Sequence, residues 1–251
     1  MVEGLAVFGD HFSAFTDNYV LIGGTACDLA MTSVGQDFRA TKDLDIVLFL
    51  EQNNADFIRH FWEFIFAGNY TTKQRLDQRP QYYRFADPRI DGYPAMLELF
   101  SARPEMLDFK GDGHLVPIPA SEDISSLSAI LLDTSYSTWI RTGKLISNNI
   151  SYTRAEHLIP LKAKAWLELS KQKFSTGNVD DKDIRKHKND VFRLLTIVEP
   201  DYQTDVPASI VTDMRAFIEE MKAEILDLKN LRIRGFTQND LLDLLSKAYL
   251  P

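Results

Sequence analysis

The sequence predicts an α+β protein in which a mixed-sheet domain with flanking helices, residues 1–154, precedes a helical domain, residues 155–251. Short β-prone runs bounded by turn residues are confined to the first part of the chain: Tyr19–Ile22, Leu44–Leu50, Tyr82–Phe85 and Met96–Phe100. From about Ala155 onward the strand signal gives way to four successive segments of helical apolar spacing. At 251 residues the chain is long enough for two modest cores or one large one.

Residues 4–17 read as an amphipathic helix. Tyr19–Ile22 is a buried strand stopped by Gly23-Gly24, and Thr25 is a candidate cap for a small-residue helix running to Met31. Polar residues 32–42 form a loop before the second strand, which Asp43 and Asp45 open. Asn53-Asn54 lead into a helix over Ala55–Phe66. Its Phe57, Phe61, Trp62, Phe64 and Phe66 read as core rather than as a base-stacking platform. Tyr82–Phe85 and Met96–Phe100 are strands joined by the turn-rich DPRIDGYP, and His114–Ile118 is a candidate edge strand limited by prolines. The C-terminal helices are expected over 158–174, 183–198, 209–228 and 239–249.

Bulk properties narrow the function. A net charge of −8 argues against a dedicated nucleic-acid binder, although it leaves room for a local basic groove. One cysteine, Cys27, excludes an internal disulfide and a cysteine-based zinc site. The stretch MVEGLAVFGDHFSAF does not have the form of a signal peptide, and no apolar run reaches the length of a membrane span. A cytoplasmic protein with no membrane partner is expected.

The carboxylates carry the chemistry. Residues two apart on a strand share a face about 6–7 Å apart. Asp43 and Asp45 therefore point the same way while Leu44 and Ile46 point into the core. Like charges so placed call for a cation, and Mg²⁺ takes one or two carboxylates together with substrate phosphates. Glu98, flanked by Leu97 and Leu99, is a third acid that converges on the first two if its strand neighbours theirs. The same residues also suit a plainer reading, since D-x-D occurs on solvated strand ends and a strand glutamate often faces water. Gly23-Gly24 permits close backbone approach, and the helix that follows points N–H groups at the turn, with the Thr25 hydroxyl beside them.

GGTA at 23–26, RATKDLD at 39–45 and an acid between apolar residues at Glu98 together resemble the polymerase-β-like nucleotidyltransferases. The R-x-T-x-D-h-D form looks most like their AbiEii-type branch, which includes toxins of bacterial toxin–antitoxin pairs and relatives such as the MenT enzymes. The resemblance implies two Mg²⁺ ions, or Mn²⁺, held by Asp43 and Asp45, with Glu98 as the third acid that also helps activate the attacking hydroxyl. It implies an NTP whose β- and γ-phosphates lie on Gly23, Gly24 and Thr25, with Arg39 either a phosphate contact or a surface residue. Transfer of an NMP to an acceptor hydroxyl would release pyrophosphate.

The branch also has a lysine early in a C-terminal helix and a basic-Asp-x-x-Asp segment. Lys162 matches the lysine, with Lys164 its competitor, and it would neutralise triphosphate charge. Asp190 matches one acid of the segment, where His187 stands in place of the other, and it either orients the triphosphate or binds nothing. The stretch from Gly24 to Asp43 is longer than in the shortest members, and the loop before Asp43 absorbs the difference.

An RNA or tRNA 3′ end and a cognate antitoxin are the partners implied. A small-molecule or protein acceptor, and a catalytically silent member of the fold, stand as alternatives. The lysines between 162 and 188 line either a basic surface for RNA or a solvated helix face. Other signals fail: Thr142-Gly143-Lys144 lacks the flanking residues of a P-loop, and the five histidines show no H-E-x-x-H spacing.

Overall fold

A computed structural model describes residues 2–50, 54–71, 82–101 and 133–251. Helix α1 (Leu5–His11) and a 3₁₀ turn (Ser13–Phe15) stand where one helix is expected over 4–17. Strand β1 (Tyr19–Ile22) is buried throughout and runs directly into α2 (Gly23–Ser33). Then follow β2 (Asp43–Leu48), α3 (Ala55–Gly68), β3 (Tyr82–Ala86) and β4 (Met96–Ser101). After them come α4 (Thr134–Thr142), β5 (Lys144–Ser147), β6 (Ile150–Thr153), α5 (Ala155–Thr176), α6 (Asp181–Leu195), α7 (Ala208–Ala223) and α8 (Gln238–Tyr249). The expected edge strand at 114–118 lies outside the described residues.

The six described strands form one mixed sheet in the order β3-β4-β2-β1-β6-β5, so the fold is α+β as the sequence predicts. β1 runs antiparallel to β2 and parallel to β6, while β2 and β4 run parallel. Alternation gives the sheet two unlike faces. Tyr19 and Leu21 pair in register with Leu48 and Ile46, and Ile46 with Leu99, all buried on one face. An aromatic cluster covers that face. Phe8 meets Tyr19 edge-on at 5.3 Å and Phe64 at 5.8 Å, and Phe61 meets Phe85 at 5.6 Å. Such offset and edge contacts suit the ring quadrupoles. The aromatic series of α3 is core, as read from its spacing, with Phe66 exposed at its margin.

The chain divides into two compact units, Met1–Ala120 with Lys144–Thr153, and Ser121–Gly143 with Arg154–Pro251. The division is therefore finer than a single cut after residue 154. The β5–β6 hairpin belongs with the sheet, and α4 belongs with the helices.

In the helical unit, α5 packs on α6 and α7, with Trp166 edge-on to Phe217 at 5.5 Å. Trp139 of α4 stacks on His157 at 4.1 Å, and its indole N–H donates to the His157 carbonyl at 3.1 Å. Pro160 lies inside α5 and has no N–H to give Glu156, the carbonyl one turn back. The Tyr249 hydroxyl of α8 donates to that carbonyl instead, at 2.7 Å. Among the described residues no helix is long and apolar enough to cross a membrane.

Candidate active site

The sheet face opposite the aromatic cluster carries the acids. β2 and β4 are neighbours, and their parallel register sets Asp45 directly beside Glu98. Asp43 follows two residues back on the same face of β2, so all three carboxylates share one side of the sheet. Asp43 and Asp45 are half-buried, whereas Glu98 is only 8% exposed. The row continues on both sides: Ile22 of β1 opposes Asp45, and Arg84 of β3 opposes Glu98.

Arg84 was not legible as a site residue. Its Nε and Nη2 both donate to Glu98 Oε1, at 2.8 and 2.5 Å. A carboxylate so nearly sealed from water needs a partner, and a guanidinium supplies a permanent one. The only hint in the sequence was a basic residue in a strand antiparallel to the Glu98 strand, and its meaning depends on register.

The glycine turn is built around Asp45. Gly23 has φ +67°, and a Cβ there would lie 1.6 Å from Asp45 Oδ2, so any larger residue would displace the carboxylate. A Cβ on Gly24 would lie 2.7 Å from Thr41 Oγ1 and 3.5 Å from an Arg39 terminal nitrogen. The loop after α2 thus folds back to bring Arg39 and Thr41 over the turn. A terminal nitrogen of the Arg39 guanidinium stands near Gly24.

The expected cap is corrected. α2 begins two residues before Thr25, with Ile22 at the N-cap and no side-chain cap bond. The helix element already includes the two glycines, with Gly23 itself at positive φ, so its start lies nearer the N-terminus than expected. Thr25 is fully buried, and its hydroxyl donates to the Asp43 carbonyl at 2.7 Å. It ties the first turn of α2 to the start of the acid strand.

Lys162 and Asp190 belong to the helical unit, where they form an ion pair at 3.4 Å between α5 and α6. Both are buried, at 4% and 0% exposure. Lys164 turns elsewhere, to Asp213 at 2.9 Å and Glu168 at 3.1 Å. Burial pulls the Lys164 pKa down, but the hydrogen bonds it donates to Asp213 and Glu168 outweigh it and the net direction is up. Lys162 is thus the lysine that meets Asp190.

Among the described residues no three His, Cys, Asp or Glu side chains stand as a ready metal cluster, and the Glu98 carboxylate is engaged by Arg84. The donor chemistry nonetheless fits a hard divalent ion: two half-exposed carboxylates on one strand face, with a third in register on the next strand.

No protein-family model matches the chain, and no curated protein matches it. Among solved structures, it is similar to the crystal structure of an antigenic nucleotidyltransferase-like protein from Paracoccidioides brasiliensis. The identity is 13% and the TM-score 0.47, over 94% of this chain and 93% of that one.

Proposed function

We propose that this chain is a Mg²⁺-dependent nucleotidyltransferase of the polymerase-β-like superfamily, of the AbiEii type, which moves an NMP from an NTP to an acceptor hydroxyl. The observation that carries the reading is the register of Asp43, Asp45 and Glu98 on one sheet face, beside a glycine turn against which the Asp45 carboxylate packs. Asp43 and Asp45 would hold the divalent ions, Mg²⁺ or Mn²⁺, with Glu98 as third acid. When bound, the ions supply positive charge to the phosphate oxygens as the bond between the α-phosphorus and its bridging oxygen breaks.

The protein's own groups bind and orient. Backbone N–H groups at the start of α2 and the Arg39 guanidinium face the β- and γ-phosphates across Gly23 and Gly24. Glu98 accepts the proton of the acceptor hydroxyl as its oxygen bonds to the α-phosphorus, and pyrophosphate leaves. The role of Lys162 as a triphosphate contact rests on the family resemblance alone, as do an RNA or tRNA 3′ end as acceptor and a toxin role with a cognate antitoxin.

Incubation with each α-³²P-labelled NTP, Mg²⁺, total RNA and cell extract tests the reading, beside Asp45→Ala. Label should enter an acceptor and fall by roughly 10³-fold in the variant, the scale of losing one group that stabilises transition-state charge. The labelled fraction names the acceptor class as RNA, protein or small molecule. Absence of transfer with all four nucleotides, together with absence of nucleotide binding, overturns the reading.

A further inference from the structure

Resting on that reading, we infer that Arg84 is a positioning residue that competes with the divalent cation for Glu98 and so sets how much metal the acid face requires. Three observations converge on it. Arg84 and Glu98 oppose each other in the β3–β4 register, so the contact is fixed by the sheet rather than by a loop. Both donated bonds, from Nε and Nη2, fall on one oxygen, Oε1, which holds the carboxylate in one orientation. Asp45 sits on the other side of Glu98 in the same row, so an ion shared by Asp45 and Glu98 must approach a carboxylate already claimed by a cation.

The physics runs in both directions. Without metal, Arg84 offsets the charge of Glu98, the most buried carboxylate of the face. With metal, the permanent guanidinium charge opposes the incoming dication and must give up part of its hold on Glu98. Because arginine does not titrate in the working range, its own charge enters the competition unchanged by pH. Arg84 touches neither nucleotide nor acceptor in this account. It acts through Glu98.

The test is direct Mn²⁺ binding by titration calorimetry, without nucleotide, on the full chain. Compared are the wild type, Arg84→Gln, Arg84→Lys, Asp45→Asn, Glu98→Gln and the Arg84→Gln/Glu98→Gln pair, each checked for folding by thermal melting. Wild type should bind Mn²⁺, and Asp45→Asn should abolish it. Arg84→Gln should bind at least tenfold more tightly, a lower bound because even in the full dielectric of water one positive charge about 4 Å from a dication opposes it by roughly 2 kcal/mol. Arg84→Lys keeps the charge and should stay within a few-fold of wild type. The gain from Arg84→Gln should vanish in the Glu98→Gln background, since a coupled pair is non-additive.

Equal affinity of wild type and Arg84→Gln, with binding still lost in Asp45→Asn, overturns the role of Arg84 and leaves the metal reading intact. Mn²⁺ binding that Asp45→Asn does not affect overturns the metal reading itself.

Discussion

The two units handle charge in opposite ways. On the sheet face, Asp43 and Asp45 stay half-exposed at the head of a strand, and the one nearly buried acid, Glu98, is matched by a surface-reaching arginine. In the helical unit, Lys162 and Asp190 are buried between two helices and form an ion pair. The acids of β2 thus keep contact with water, whereas Lys162 and Asp190 are compensated out of its reach. The contrast also separates what each set costs when disturbed. Breaking a buried pair leaves one ion stranded, and the penalty falls on folding. Losing a half-exposed carboxylate falls mainly on what it binds.

The largest stability effect should therefore come from the helical unit. Asp190→Ala or Lys162→Met should each destabilise by about 3–5 kcal/mol in urea unfolding, and replacing both together by apolar residues should recover much of the loss. Equal penalties for the single and double variants would show that the pair shapes the core rather than balancing its charge. Tyr249→Phe removes the hydroxyl that donates to the Glu156 carbonyl at the Pro160 break, and should cost about 1–3 kcal/mol. Pro160→Ala, which restores a helical N–H, should reduce that cost.

A further effect is one of pH. Burial pushes the His157 pKa down to about 4, with the nearby Arg154 charge acting in the same direction. The unfolded imidazole, near 6.5, then binds a proton that the folded one refuses. Stability from His157 is fully present above about pH 6.5 and falls as the pH drops towards 4. His157→Phe should flatten the stability profile in that window, provided the stack on Trp139 survives.

What the sequence made legible follows from which features are local. β1, β2, α3 and the four C-terminal helices announce themselves by apolar period and turn residues, and their observed bounds differ by a few residues at the ends. The β5–β6 hairpin was missed because its strands are only four residues long, too short for a clear apolar period. Its signal was the pair Asn148-Asn149, both at positive φ, the two-residue turn that joins antiparallel strands. α4 was missed for a related reason: TSYSTWIRT is poor in strong helix formers, and the Asp133 cap bond to the Ser135 N–H marks its start.

At the site, the spacing of Asp43 and Asp45 was readable from the strand period alone. Their alignment with Glu98 was stated only as a condition, that the two strands be neighbours. Arg84 needed a second condition, an antiparallel partner in a particular register, and strand pairing is a long-range choice that local residues do not encode.

That register has a consequence for how this chain tolerates change. The alternation that sends Leu44, Ile46, Leu97 and Leu99 into the aromatic core is the same one that sends Asp43, Asp45 and Glu98 to the opposite face. Inserting or deleting one residue within β2 or β4 would exchange the two sets beyond that point, turning carboxylates towards the aromatic core and leucines onto the acid face. Such a chain fails to fold before it can fail at chemistry. Selection on stability alone thus guards the geometry of the acids, and the site is open to drift only through substitution.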